Sequence, residues 1–380
     1  MKSVEIFAGA GGMAMGISAA GFNHSAVIER DEYACNTLRR NKYTKDWPII
    51  QSDVANFDYS QINCHIALLS GGPPCQPFST AGRHKGHTDK RDMFPEAIRA
   101  IREVRPRAFI IENVKGIART AFVPYFSYTL LQLQHPEIQR KHYEDWTDHK
   151  IRLERHHTST RSAPLYNVLF DTLNAADFGI PQKRERLFIV GFRNDQNSRW
   201  SFPQKTHSLE ELLVSKWVTK RYWDTHKISK NKIPPISLSE KRSLEKLQSS
   251  ALFPHKPWQT TRDMLIDLVD SKQDPRGTFI NHEFKKGARQ YKGHTGSLLD
   301  MPAKTIKAGF HGVPGGENMF IKDDKTVRYF TVRELARLQG FPDDYVFSGS
   351  WSRTLKQLGN AVPVGMAKIV AKSLMETLAD

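Results

Sequence analysis

Regular alternation over the first 115 residues limits what this chain can fold into more than any other feature. "SVEIFAGAGG" reads as a strand entering a glycine loop, and "MAMGISAAG" as the helix after it. "HSAVIERD" and "EYACNTLRRN" repeat strand and helix, and "WPIIQSDV" and "HIALLSGG" add two strands. "MFPEAIRAIREVR" carries apolar residues at helical spacing, and "RAFIIENV" is the next strand. Strand–helix alternation predicts an α/β fold with a doubly wound, mostly parallel sheet. The glycine loop, Glu29, Asp53 and Glu112 stand at the ends of four strands, and Cys75 follows a fifth. Singly, each suits a cap or a turn. Together they line the carboxyl edge of the sheet, where ligands of open α/β folds bind.

Cys75 lies in "LLSGGPPCQPFS", between Pro73-Pro74 and Pro77. Prolines fix their own φ and restrict the residue before them, so this stretch is neither helix nor central strand. The cysteine therefore sits on a stiff turn.

Residues 117–165 are aromatic, basic and irregular, an insertion without an evident role. "LYNVLFDTLNAADFGIPQKRERLFIVGF" resumes helix and strand, and residues 196–300 break into short runs rich in Lys, Pro and Ser. "RYFTVRELARLQGFPDDY" and "GNAVPVGMAKIVAKSLMETL" are amphipathic helices, the last with Ile369, Val370, Leu374 and Leu378 on its apolar face. The expected division is a catalytic, cofactor-binding domain over 1–195, a smaller irregular domain over 196–325, and carboxyl-terminal helices over 326–380 that complete the first.

Fifty-six Lys and Arg against 40 Asp and Glu leave a net charge of +16, which favours a polyanion such as nucleic acid. Three cysteines are too few for a disulfide framework. The histidines, among them His84, His87, His156 and His157, lack a zinc-ligand spacing, so no metal is expected. No apolar run reaches the roughly 20 residues of a membrane span, and the amino terminus resembles no targeting peptide. A cytoplasmic protein, working as a monomer, is expected.

Gly9-Ala10-Gly11-Gly12-Met13-Ala14 fits G-x-G-x-x-A, and Glu29 stands at the distance of a ribose ligand. By themselves these suit an NAD enzyme, yet no hydride-transfer machinery follows. The ordered set "IFAGAGGMAMG", "GGPPCQPFS", "IIENV", "QKRER", "RELARLQGFPDDY" and "GNAVP" resembles the DNA (cytosine-5)-methyltransferases of bacterial restriction–modification systems, from residue 6 to 363. The resemblance implies the Rossmann-like fold of S-adenosylmethionine-dependent methyltransferases. It also implies a variable target-recognition domain between "QKRER" and "RELARLQGF", where the irregular stretch lies.

Cytosine C5 is too weak a nucleophile to take a methyl group unaided. A thiolate adding to C6 makes C5 enamine-like, and covalent catalysis of this kind splits one hard step into easier ones. The resemblance assigns that thiolate to Cys75, the proton at N3 to Glu112, with a raised pKa, and contact with O2 to Arg186. It sets Phe7 against the adenine of S-adenosylmethionine and Gly9, Gly11 and Gly12 against the methionine portion. Glu29 would then accept the ribose hydroxyls, Asp53 the adenine amino group, and Asn360 is a further cofactor position. Pro74 would help pin a cytosine swung out of duplex DNA. Gln76 would fill the gap left in the stack. Arg83, with Gly82, Gly86, Lys85, Lys90 and Arg91, would form a closing loop over phosphates. Arg184 serves phosphate or neighbouring structure, and Thr305 meets a phosphate.

The partners so implied are double-stranded DNA and an endonuclease of the same specificity. The alternatives are a tRNA cytosine-5 methyltransferase, disfavoured by "PCQPFS" and the long insert, and a DNA-binding relative without catalysis, disfavoured because every catalytic position is filled.

Overall fold

The structure, a computed structural model, describes residues 1–74, 92–159, 163–196, 199–247, 255–273, 277–292, 295–308 and 318–379. They divide into two compact units, one of residues 1–173, 185–203 and 345–380, the other of 174–184 and 204–344.

The first unit is built on seven strands: β1 (Lys2–Ile6), β2 (Asn23–Glu29), β3 (Ile49–Gln51), β4 (Leu68–Gly71), β5 (Ala108–Val114), β6 (Tyr166–Asn174) and β7 (Glu185–Arg193). Their order is β3-β2-β1-β4-β5-β7-β6. Pairing is parallel from β3 through β5 and antiparallel between β5 and β7, so the sheet is mostly parallel, as the alternation predicts. Leu68, Leu69, Phe109, Ile110, Ile111, Ile189 and Val190 are almost wholly buried, as expected of strands covered on both faces. Gly191 faces Phe109 across β5 and β7, where a Cβ would come 2.3 Å from the ring. Only glycine leaves room for that aromatic.

Helices α1 (Gly12–Ala19), α2 (Glu32–Arg40) and α3 (Phe94–Val104) connect the strands. Asp31 caps α2 by accepting from Tyr33 N and Ala34 N, while Pro95 lies in the first turn of α3. At Gly16 of α1 a Cβ would stand 2.6 Å from Ala367 of the closing helix Val364–Ala379, so the small residues of "MAMGISAAG" permit close helix packing.

Residues 117–165 are more regular than the sequence suggests, for they contain α4 (Val123–Gln134) and α5 (Trp146–Thr158). The two helices meet through aromatic and histidine pairs such as Tyr128–Trp146 and Tyr128–His149, which an aliphatic repeat does not report. That is why apolar periodicity hides them.

The second unit carries a three-stranded and a two-stranded sheet with short helices, around Leu212, Tyr222 and Trp223. Its edges differ from the expected 196–325. Residues 174–184 belong to it because Gln182 bridges Ala303, and Ile180 follows a turn held by Gly179. Residues 326–344 belong because Val327–Tyr329 pairs antiparallel with Met319–Ile321, and Arg333 N donates to Asn281 O. Only 345–380 returns to the first unit. Among the described residues no helix is long and apolar enough to cross a membrane.

Candidate active site

Parallel strands deliver their carboxyl ends to one edge of the sheet, and the polar residues marked in the sequence stand there. β1 ends at Ile6, and Phe7 takes a left-handed φ of 55°, a conformation that strains a side-chain-bearing residue. Gly9 (φ 55°) and Gly11 (φ 84°) continue the turn, and a Cβ on Gly11 would come 2.6 Å from Leu38 Cδ2. Glu29, closing β2, accepts from Gly9 N through Oε2 and from Asp31 N through Oε1, both at 2.7 Å. Each of its oxygens keeps a lone pair for another donor, so the carboxylate is oriented without being saturated. Asp53 caps the short helix Val54–Asn56 through Ala55 N, and its other oxygen takes Arg30 Nη1 at 3.2 Å. Asn360, exposed, ends the helix Trp351–Asn360.

On the antiparallel side of the sheet, Arg186 of β7 pairs with Val114 of β5, which puts it diagonally across from Glu112 on the same face. Arg186 Nε stands 2.8 Å from Glu112 Oε1, both side chains largely buried. Burial pulls the Arg186 guanidinium below its ordinary value, and Glu112 opposes that shift. The same contact favours the ionised carboxylate. The loop leaving β4 runs past this pair. A Cβ on Gly72 would lie 3.1 Å from Glu112 Oε2, Asn113 Nδ2 donates to Pro73 O at 3.1 Å, and Met93 N donates to Pro74 O. Pro74 is exposed. Cys75 comes next in the chain, and it, Gln76 and Arg83 with the rest of the closing loop lie outside the described residues.

In the second unit, Arg184 is fully buried and donates to Ile306 O at 3.2 Å, the bracing of neighbouring structure that was one of its two expected roles. Thr305 Oγ1 donates to Lys183 O at 2.6 Å, which spends the hydroxyl proton a phosphate would need.

Sequence reading overlooked the residues that hold this edge in place. Tyr345, wholly buried, donates to Ala10 O at 2.8 Å and so fastens the glycine loop across 335 residues of chain. Arg99 of α3 donates to Val54 O and Phe57 O, fixing the loop behind Asp53. Asn113 does the same for Pro73. Only the adjacency of Asn113 to Glu112 offered a local hint.

The chain matches the family of C-5 cytosine-specific DNA methylases over residues 1–135 and 147–376. It is 32% identical to the type II methyltransferase M.PspPI of Psychrobacter sp. (strain TA137), over 99% of this chain and 79% of that one. It is 30% identical to M.NgoMIV of Neisseria gonorrhoeae, over 99% and 97%. The solved S. pombe Dnmt2 methyltransferase covers both chains in full with a TM-score of 0.60 at 18% identity, a likeness of fold. Motifs, sheet order and relatives agree, and the chain belongs to the C-5 cytosine-specific DNA methylase family.

Proposed function

We propose that this protein methylates C5 of a cytosine flipped out of a specific double-stranded DNA sequence, using S-adenosylmethionine, and so guards DNA from an endonuclease of the same specificity. The observation that carries the reading is the buried Glu112–Arg186 pair beside the Gly72–Pro74 loop that leads into Cys75. A thiolate and a proton-handling carboxyl on neighbouring strand ends suit attack at C6 with charge relief at N3.

Cys75 supplies the sulfur that bonds C6, and the electron pair so displaced moves towards N3. Glu112 holds the proton there. Its pairing with Arg186 favours the ionised form, so the protonated acid requires Arg186 to turn to the cytosine O2. The arriving base thereby exchanges one partner of Glu112 for another. C5 then bonds the methyl, the N3 proton returns to Glu112, and loss of the C5 proton to solvent water with departure of the Cys75 thiolate restores the ring.

For the methyl donor, Gly9, Gly11 and Gly12 give close backbone approach, and the oriented Glu29 has acceptor capacity for ribose hydroxyls. Phe7 and Asp53 would hold the adenine, and Asn360 would add a further contact. When bound, this group supplies an electrophilic methyl.

The test uses duplex DNA with 5-fluorocytosine at the target, where the fluorine cannot leave as a cation. The protein should stay attached through Cys75 in a denaturant-resistant, cofactor-dependent adduct. Cys75→Ala should bind DNA yet form none, and Glu112→Gln should slow methylation by roughly 10²-fold or more. An adduct mapped elsewhere, or methylation of tRNA in preference to duplex DNA, overturns the reading.

A further inference from the structure

The helix pair between β5 and β6 holds a cluster that the site above does not use. Tyr128 Oη meets His149 Nδ1 at 2.9 Å, and His149 Nε2 meets Ile138 O at 2.9 Å, so both nitrogens of His149 are occupied. Seven residues further along each helix, about two turns and hence the same face, His135 meets His156. His135 is fully buried at the end of α4. Its carbonyl accepts from Ile138 N at 3.0 Å, and this turn brings Glu137 back beside the imidazole. His135 Nδ1 stands 3.7 Å from Glu137 Oε1, and the His156 ring packs edge-on at 4.9 Å between centroids. One ligand atom from each of His135, Glu137 and His156 lies within 4.8 Å of the other two.

We propose that His135, Glu137 and His156 bind one divalent cation of the zinc class, which clamps the end of α4 to the last turn of α5. His135 Nδ1 is buried without a hydrogen-bond partner among the described residues. Its 3.7 Å from the carboxylate is too long for a hydrogen bond. It is close to the ~3.3 Å between two ligand atoms on a tetrahedral zinc with bonds of about 2.0–2.1 Å. His135 Nε2 lies 3.0 Å from His157 Nδ1, and an N–H donated there leaves the Nδ1 lone pair facing Glu137. An outer partner of this kind orients metal-bound histidines generally. Two imidazoles and a carboxylate suit zinc over magnesium or calcium, and three protein ligands leave a place for water.

The full chain, stripped with a chelator, is titrated with Zn²⁺ against a chromophoric competitor, and metal is counted after desalting. One zinc per chain should be retained, and Co²⁺ should give the visible absorption of a low-coordinate site. Glu137→Gln, at an exposed position that leaves folding intact by circular dichroism, should weaken binding at least roughly tenfold, a scale on which even outer partners of metal ligands act. His156→Ala should do the same, while His142→Ala, an exposed histidine of the same segment, should not. A chain that retains no zinc, or Glu137→Gln and His156→Ala proteins that bind it as tightly as the parent, would overturn the site.

Discussion

In the unit built on the parallel sheet, the interior is a continuous apolar mass drawn from β1, β2, β4, β5 and β7. In the other unit, charged groups sit where aliphatic ones would be expected. Arg328 and Glu334 form a two-pronged pair at 2.8 and 2.6 Å, and Glu334 is wholly buried. Arg333, also wholly buried, donates to Ile280 O and Pro342 O. Lys216 lies over the rings of Trp217 and Trp223 and reaches Glu240 at 2.7 Å. Apolar burial is non-directional and follows area. A buried ion pair holds only when geometry and hydrogen bonds offset its desolvation. One unit therefore rests on packed apolar area, and the other depends on complete partnerships.

Breaking the Arg328–Glu334 pair should have the largest effect. Arg328→Met leaves Glu334 buried without its counter-charge and should cost about 3–5 kcal/mol, read as hydrogen-exchange protection in residues 319–338. Adding Glu334→Leu should recover much of the loss. A double variant no better than the single one would mean that the pair is not the unit's support.

In the sheet, Leu69→Ala should cost about 2–5 kcal/mol, set by the cavity left behind. No second polar change should rescue it, and chemical denaturation of the sheet unit is the measurement. Rescue by a neighbouring charge would erase the contrast.

Glu5 is a buried carboxyl inside the sheet, opposite Ser70 across β1 and β4 and hydrogen-bonded to it. Burial raises its pKa from 4.5 to about 8, against the opposing Ser70 bond. The unfolded carboxyl loses its proton near 4.5 and the folded one only near 8, so its stabilising effect is complete below 4.5 and fades as pH rises to 8. Through that window Glu5→Gln should remove a decline of up to about 1.4 kcal/mol per pH unit, seen in thermal melts across pH. Parallel pH curves for parent and variant would place the proton elsewhere.

The smallest effect is expected at Thr331, whose Oγ1 accepts from Glu334 N while its own N–H donates to Glu334 Oε2. Thr331→Ala should cost about 1 kcal/mol. A much larger loss would show that the cap and the ion pair act as one network.

Local rules carried much of the fold. The apolar runs placed β1, β2, β4 and β5, because most of their residues are buried on both faces and have no other way to read. The glycine loop, Glu29, Asp53 and Glu112 were legible because they gather polar groups at several strand ends on one edge, while Arg186 was legible only through the resemblance of "QKRER". Their supports were not legible, since Tyr345 reaches Ala10, and Arg99 the carbonyls behind Asp53, only after the chain has folded. The same holds for the helices of 117–165, whose contacts are polar and aromatic without a repeat.

The sequence by itself determined the sheet, its polar carboxyl edge and the family, for these rest on periodicity and on residues close together in the chain. Tertiary structure alone decided which cations serve inside. It buried Arg184 against Ile306 O while setting Arg186 on Glu112, although the two lie two residues apart. It moved 326–344 into the second unit, and it brought His156 to His135 across a chain gap without a ligand spacing. Each outcome depends on burial and on long-range partners, whose desolvation and pairing energies no local pattern encodes.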